Sequence, residues 1–209
     1  MCKVLLINGS PHEHGCTYTA LHEVEIKLNE HQISTEVLYL GAKPIADCIN
    51  CGKCLKTGHC FIKDKVNEIL NRLNEFDAIV LGSPVYYAGP TGSLCSFLDR
   101  LFYCGEVAMS GKFGAAVVCC HRAGSTAALD RLNKYFTISN MPVVPSQFWN
   151  LVHGHTPEDV SNDEIGMQTM RALGENMAWL LKIKESGKAA GVSAPNYESG
   201  FCNNTQKDS

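Results

Sequence analysis

Apolar and polar positions along the chain alternate between two rhythms. Short runs rich in apolar residues read as strands: KVLLI (3–7), STEVLYL (34–40), DAIVLGS (77–83), KFGAAVVCCH (112–121) and PVVPS (142–146). Between them the spacing turns helical. CTYTALHEVEIKLNEH (16–31) sets Leu21, Val24 and Leu28 near one face, and VNEILNRLNEF (66–76) does the same with Val66, Ile69, Leu70 and Leu73. GSLCSFLDRLFY (92–103) and STAALDRLNKYFTIS (125–139) are further helices. DEIGMQTMRALGENMAWLLKIKES (163–186) is a long one, with Ile165, Met170, Leu173, Met177 and Leu180 roughly in line. From Gly187 the chain is rich in Gly, Ser and Asn and reads as an extended arm or disorder. No internal repeat or second domain is visible. Residues 1–186 are expected to form one domain and 187–209 an arm.

Strands that alternate with helices predict an α/β fold, a mostly parallel sheet covered on both faces. Buried parallel strands read as continuous apolar runs, as these do. Five of them suit a flavodoxin-like three-layer sandwich with strand order 2-1-3-4-5. A Rossmann dinucleotide domain is the rival, but no G-x-G-x-x-G follows the first strand. Ligands in such sheets bind outside the carboxyl ends of the strands. The loops to inspect therefore follow residues 8, 40, 82 and 120.

Composition narrows the function. Net charge is −3 and no Lys/Arg cluster appears, which argues against a nucleic-acid partner. No apolar run is long enough to span a bilayer, so no membrane partner is expected. The opening MCKVLLINGS is too short in apolar residues for a signal peptide, so a cytoplasmic protein is expected. In a reducing compartment a tight cysteine group points to metal binding or redox chemistry rather than a disulfide framework. Four of the eleven cysteines crowd into CINCGKCLKTGHC (48–60). The other seven, Cys2, Cys16, Cys95, Cys104, Cys119, Cys120 and Cys202, are scattered, and several are expected to be small core residues. No Ser-His-Asp order or metallohydrolase motif argues for hydrolysis.

Three loops carry candidate chemistry. NGSPHEHGCTYTAL (8–21) offers Ser10, Thr17, Tyr18 and Thr19 beside a helix start, which is either a phosphate cradle or a side-chain helix cap. It lacks the lysine of a P-loop, which suits a monoester phosphate. GSPVYYAGPTGSL (82–94) combines prolines, glycines and the tyrosines 86 and 87, a backbone on which a flat ring could rest. CCHRAGSTAAL (119–129) adds His121 and Arg122 beside Gly124, a basic edge for an electron-rich ring. Together these features fit FMN. Cys48, Cys51 and Cys54 recur every third residue, with Cys60 six further on, a run seen in 4Fe–4S sites. Gly52 and Gly58 permit the tight turns such wrapping needs. Zinc prefers two separated cysteine pairs. A metal-free thiol loop and a regulatory disulfide are the remaining alternatives.

The same segments carry a resemblance. GSPHEHGCT, GSPVYYAGPTGSLCSFLDR and HRAGS resemble three loops of flavodoxin-fold NAD(P)H-dependent FMN reductases, and CINCGKCLKTGHCFIKDKV is similar to the compact cysteine motif of their iron–sulfur flavoprotein branch. The likeness runs in element order from residue 3 to about residue 185, through the final GENMAWLL helix. It implies that Ser10, His12, Cys16, Thr17 and Tyr18 hold the FMN phosphate. Pro84, Val85, Tyr86, Tyr87 and Ala88 would flank the isoalloxazine ring, and His121, Arg122 and Gly124 would complete the site. Cys48, Cys51, Cys54 and Cys60 would ligate the cluster. His12 stands where that family often has Arg, Cys16 where Asn is common, and Cys95 where Lys is common.

The expected function is an FMN-dependent oxidoreductase. NAD(P)H or a protein donor would reduce FMN, and electrons would pass to a small-molecule or protein acceptor, through the cluster where one is present. No side chain need act as nucleophile, because flavin N5 carries the hydride. The cysteine loop follows the second strand and is expected on the flavin rim. The resemblance also implies a homodimer or homotetramer in which a cluster serves a neighbouring subunit's flavin. The alternatives are a flavodoxin-like electron carrier and a thiol- or zinc-based redox sensor.

Overall fold

A computed structural model describes residues 2–193 and 195. In chain order the elements are β1 (Lys3–Asn8), α1 (Cys16–Glu30), β2 (Ser34–Tyr39), α2 (Lys53–Thr57), α3 (Lys65–Leu70), β3 (Ala78–Pro84) and α4 (Gly92–Met109). They continue with β4 (Phe113–Cys120), α5 (Ser125–Ile138), β5 (Leu151–His153), α6 (Pro157–Asn162) and α7 (Glu164–Ala189). The strands form one sheet in the expected order β2-β1-β3-β4-β5, all parallel.

Alternation along the strands explains the two layers of helix. Leu5 and Ile7 of β1, with Ile79 and Leu81 of β3, face α3, α4 and α5 through Val66, Phe97, Leu101, Leu132 and Phe136. Val4, Leu6, Val80 and Val117 face the other way, onto Leu21, Val24 and Leu28 of α1 and Met170, Leu173 and Met177 of α7. β1, β3 and β4 are buried on both faces, which is why they read as apolar runs, whereas β2 at the sheet edge is half-buried and carries Ser34, Thr35 and Glu36. No helix among the described residues is long and apolar enough to cross a membrane.

Three expectations are corrected. The fifth strand is Leu151–His153, paired with Val118–Cys120, not 142–146. Pro142 and Pro145 carry no N–H, so PVVPS contributes a single bridge, Val143 to Gly114, with the Val144 amide donating to Gly114 O at 2.8 Å. Ile165 is exposed: five residues before Met170, it points about 140° away from the buried stripe. Helix α7 runs on through Ala189, so residues 187–189 belong to it rather than to an arm. Of the rest of the expected arm, residue 194 and residues 196–209, with Cys202, lie outside the described residues.

Candidate functional site

Because every strand is parallel, all five carboxyl ends open on one rim. The first loop is tied there by its own backbone. The Gly9 amide donates to Gly82 O at 2.9 Å, and Asn8 Nδ2 donates to Glu13 O at 3.0 Å. The Ser10 amide donates to Asn8 Oδ1, the His12 amide to Ser10 Oγ, and Tyr39 OH to Pro11 O at 2.6 Å. Ser10 is buried and His12 exposed. Helix α1 then starts at Gly15 in extended conformation with no side-chain cap. The first amides of a helix have no intrahelical partner, so those of Cys16, Thr17 and Tyr18 are left without a side-chain cap. Of the two readings of this loop, side-chain capping does not occur. Thr17 Oγ1 is buried and has no hydrogen-bond partner among the described residues. Tyr18 is stacked on His22 and meets His14 edge-on. Cys16 lies beside Cys119; burial, and then the neighbouring Cys16, push the Cys119 thiol up to about 12.

The second loop leaves β3 as a tight turn. Tyr86 and Gly89 exchange two backbone hydrogen bonds at 2.9 Å, and Tyr87 and Ala88 between them both have positive φ, 50° and 60°. Two consecutive left-handed residues are the signature of a type I′ turn, which costs strain when neither is Gly. The turn lifts Tyr87 entirely into solvent and leaves Tyr86 half outside. Val85 is anchored by its amide on Cys119 O at 2.9 Å. Thr91 closes the loop: its hydroxyl donates to Gly9 O at 2.8 Å and caps α4 by accepting from Leu94.

The third loop meets the second through Gly124, whose φ is +86°. A Cβ there would lie 2.8 Å from Ala88 Cα. His121 and Arg122 are exposed beside this contact. The structure therefore brings the thirteen expected flavin residues onto one rim. A neighbour that the sequence reading did not name is His155, in the loop after β5, which packs edge-on against His121 with ring centroids 5.1 Å apart. Misplacing the fifth strand hid it.

The four clustered cysteines, Cys48, Cys51, Cys54 and Cys60, line one pocket with Ile49, Gly52, Phe61 and Ile62 of their own loop and Arg100, Tyr103 and Cys104 of α4. None of the lining residues belongs to the three loops expected to hold the flavin; the pocket wall opposite the cysteine loop comes from α4. Gly52 and Gly58 bracket α2 with φ of 64° and 71°, the left-handed turns that a side chain would strain. Asn67 clamps Cys60: its Oδ1 accepts from the Cys60 amide at 2.8 Å and its Nδ2 donates to Cys60 O at 2.9 Å. Cys104, half-buried, joins the pocket wall. Burial, and then a hydrogen bond with Cys54, hold its thiol well above the ordinary range. Among the described residues no three His, Cys, Asp or Glu side chains converge as ligands of a single metal ion would.

Over residues 2–156 the sequence matches the profile described as NADPH-dependent FMN reductase. The chain belongs to that family. It is an FMN-dependent oxidoreductase. An iron-sulfur flavoprotein of Methanocaldococcus jannaschii is 34% identical over 189 residues, covering 87% of this chain and 98% of that protein. Among solved structures, RosB with a bound 8-demethyl-8-formylriboflavin-5'-phosphate intermediate has a TM-score of 0.71 at 15% identity, covering 100% of this chain and 94% of the other. A flavodoxin from the domain Archaea has 0.58 at 17%, covering 87% and 99%. These structural likenesses show the shared fold. The residues of this FMN reductase family member fit its flavin: uncapped amides and an orphaned buried hydroxyl suit a phosphate. Four soft thiols around one pocket likewise fit an iron–sulfur cluster.

Proposed function

We propose that this oxidoreductase takes electrons from NADH or NADPH and passes them to a small-molecule or protein acceptor through a 4Fe–4S cluster on Cys48, Cys51, Cys54 and Cys60. The observation that carries the reading is the single pocket lined by those four thiols in a chain whose family binds FMN. When bound, FMN accepts a hydride and gives up electrons singly, and a cluster takes electrons one at a time, so the pair links two-electron to one-electron chemistry.

The protein's part is to bind and orient. The amides of Cys16, Thr17 and Tyr18, at the positive end of α1, would receive the phosphate. The Thr17 hydroxyl would gain the partner it lacks, and Ser10 and His12 would close the cradle. Pro84, Val85, Tyr86, Tyr87 and Ala88 would lie along the ring, with His121, Arg122 and Gly124 at its edge. The iron-sulfur flavoprotein name of the Methanocaldococcus relative supports the cluster. The family resemblance supports a homodimer or homotetramer.

The test is an absorption spectrum of anaerobically purified protein, with iron, sulfide and zinc assayed on the same sample. Flavin bands, a broad shoulder near about 400 nm and about four irons per chain are expected. Flavin without iron would sink the cluster, and failure of both NADH and NADPH to bleach the flavin would leave a protein-reduced electron carrier.

A further inference from the structure

Helix α4 turns an arginine into the cysteine pocket. Arg100 sits in the apolar stripe of α4 with Phe97 and Leu101 and is 1% exposed. A buried guanidinium is costly unless its donors are met. Arginine has five N–H donors in a rigid fork, and here all five find acceptors. Nη1 donates to Asp64 Oδ2 at 2.6 Å and to Ala46 O at 3.2 Å; Nη2 donates to Asp64 Oδ1 at 2.8 Å and to Ile62 O at 3.0 Å. The fifth, Nε, donates to Cys60 Sγ at 3.2 Å. A neutral thiol is a weak acceptor, whereas a charged one makes a hydrogen bond about twice as strong as a neutral pair. Spending a buried charged donor on sulfur fits a sulfur that is negative in the working protein.

We propose that Arg100 is the positioning residue of the cluster ligand Cys60, fixing its sulfur on the pocket wall and raising the cluster's reduction potential. The inference rests on the cluster reading given above. Reduction adds one electron beside four thiolates, and hydrogen bonds to ligand sulfurs, local net charge and solvent exposure set how readily it is accepted. Asp64 does not cancel the effect of Arg100. Its side chain is 31% exposed, so water screens the carboxylate while the guanidinium is buried against the sulfur. The pair is a dipole with its positive end at Cys60.

The experiment uses Arg100→Gln, Arg100→Lys and Asp64→Asn in the full chain, purified anaerobically with flavin and cluster. Iron and sulfide per chain are assayed, and the midpoint potential is measured by a dithionite titration followed by electron paramagnetic resonance. Arg100→Gln lowers the potential by about 59 mV or more, a tenfold change in the reduced-to-oxidised ratio. Arg100→Lys keeps the charge but not the fork and falls between. Asp64→Asn, which still caps α3, removes the negative end of the dipole and moves the potential upward. A purely structural tie would move both positions the same way, or neither, and either result overturns the proposal. Should Arg100→Gln fail to fold, the opposite signs of Arg100→Lys and Asp64→Asn carry the test. Wild-type protein with flavin but no iron removes the cluster reading and this inference with it; iron present with unmoved potentials removes this inference alone.

Discussion

Thr17 is a residue whose folded environment is incomplete. Its buried hydroxyl has no hydrogen-bond partner among the described residues, a state that costs about 1–3 kcal/mol. Thr17→Val should therefore leave the flavin-free protein as stable or up to about 1 kcal/mol more stable, while weakening FMN binding about tenfold, the loss of one hydrogen bond of about 1.4 kcal/mol. Thermal unfolding with and without FMN, beside a flavin titration, checks both signs; a variant that loses stability and keeps its affinity refutes the role. Gly124 is the second informative residue. Alanine there must adopt a left-handed backbone and meet Ala88 at 2.8 Å. Gly124→Ala should cost about 1–3 kcal/mol and open the contact between the second and third loops, read as a lower urea midpoint together with weaker FMN fluorescence quenching. The sequence showed both residues but not their predicament, since an unsatisfied hydroxyl or a missing Cβ acquires meaning from neighbours distant in the chain.

At the level of elements, β2 is held at its outer edge by charge. Arg72 grips Glu36 with two hydrogen bonds of 2.8 and 2.7 Å, and Lys3 adds a third contact at 2.8 Å. Arg72 first, with Lys3 assisting against burial, holds the Glu36 carboxyl down at about 2, against 4.5 ordinarily. A carboxylate depressed in the folded state contributes stability that is whole above its unfolded value and lost as pH falls through the folded one. Glu36→Gln should thus cost about 1 kcal/mol at neutral pH, and the gap from wild type should close between pH 4.5 and about 2. Denaturant midpoints across that range decide it; a gap constant with pH would exclude the ion pair as its source. Elements with one strong rhythm were legible in the sequence: β1, β3, β4, α1 and α5 fall within a residue or two of expectation. The prolines of PVVPS imitated a strand that cannot donate, and the three residues of β5 are too few to register as a run. Arg100 passed unremarked in the sequence, since its burial and its partners Asp64 and Cys60 are set by the tertiary fold. The cysteine spacing was legible as a site, while the pocket wall that α4 supplies through Arg100, Tyr103 and Cys104 depends on the tertiary fold.

For the whole molecule, the rim proposed for the flavin draws on loops after β1, β3 and β4, so it exists only when those strands are assembled. FMN should therefore bind the native state alone and stabilise it by about 2.7 kcal/mol at one hundred times its dissociation constant. A melting temperature that climbs with FMN concentration checks this; one that is indifferent to FMN denies that the rim is its site. The contacts that assemble the rim are almost all main chain: Gly9 on Gly82, Val85 on Cys119, Tyr86 on Gly89, and Gly124 against Ala88. The side chains that project from it, Tyr86, Tyr87, His121 and Arg122, are exposed. Exchanging Tyr86 or Arg122, which are exposed and have ordinary backbone angles, should cost about 0.5 kcal/mol or less. In evolutionary terms the scaffold separates the right to fold from the choice of redox partner. Descendants of this chain can try new donors and acceptors at the tips of these loops without risking the sheet beneath them.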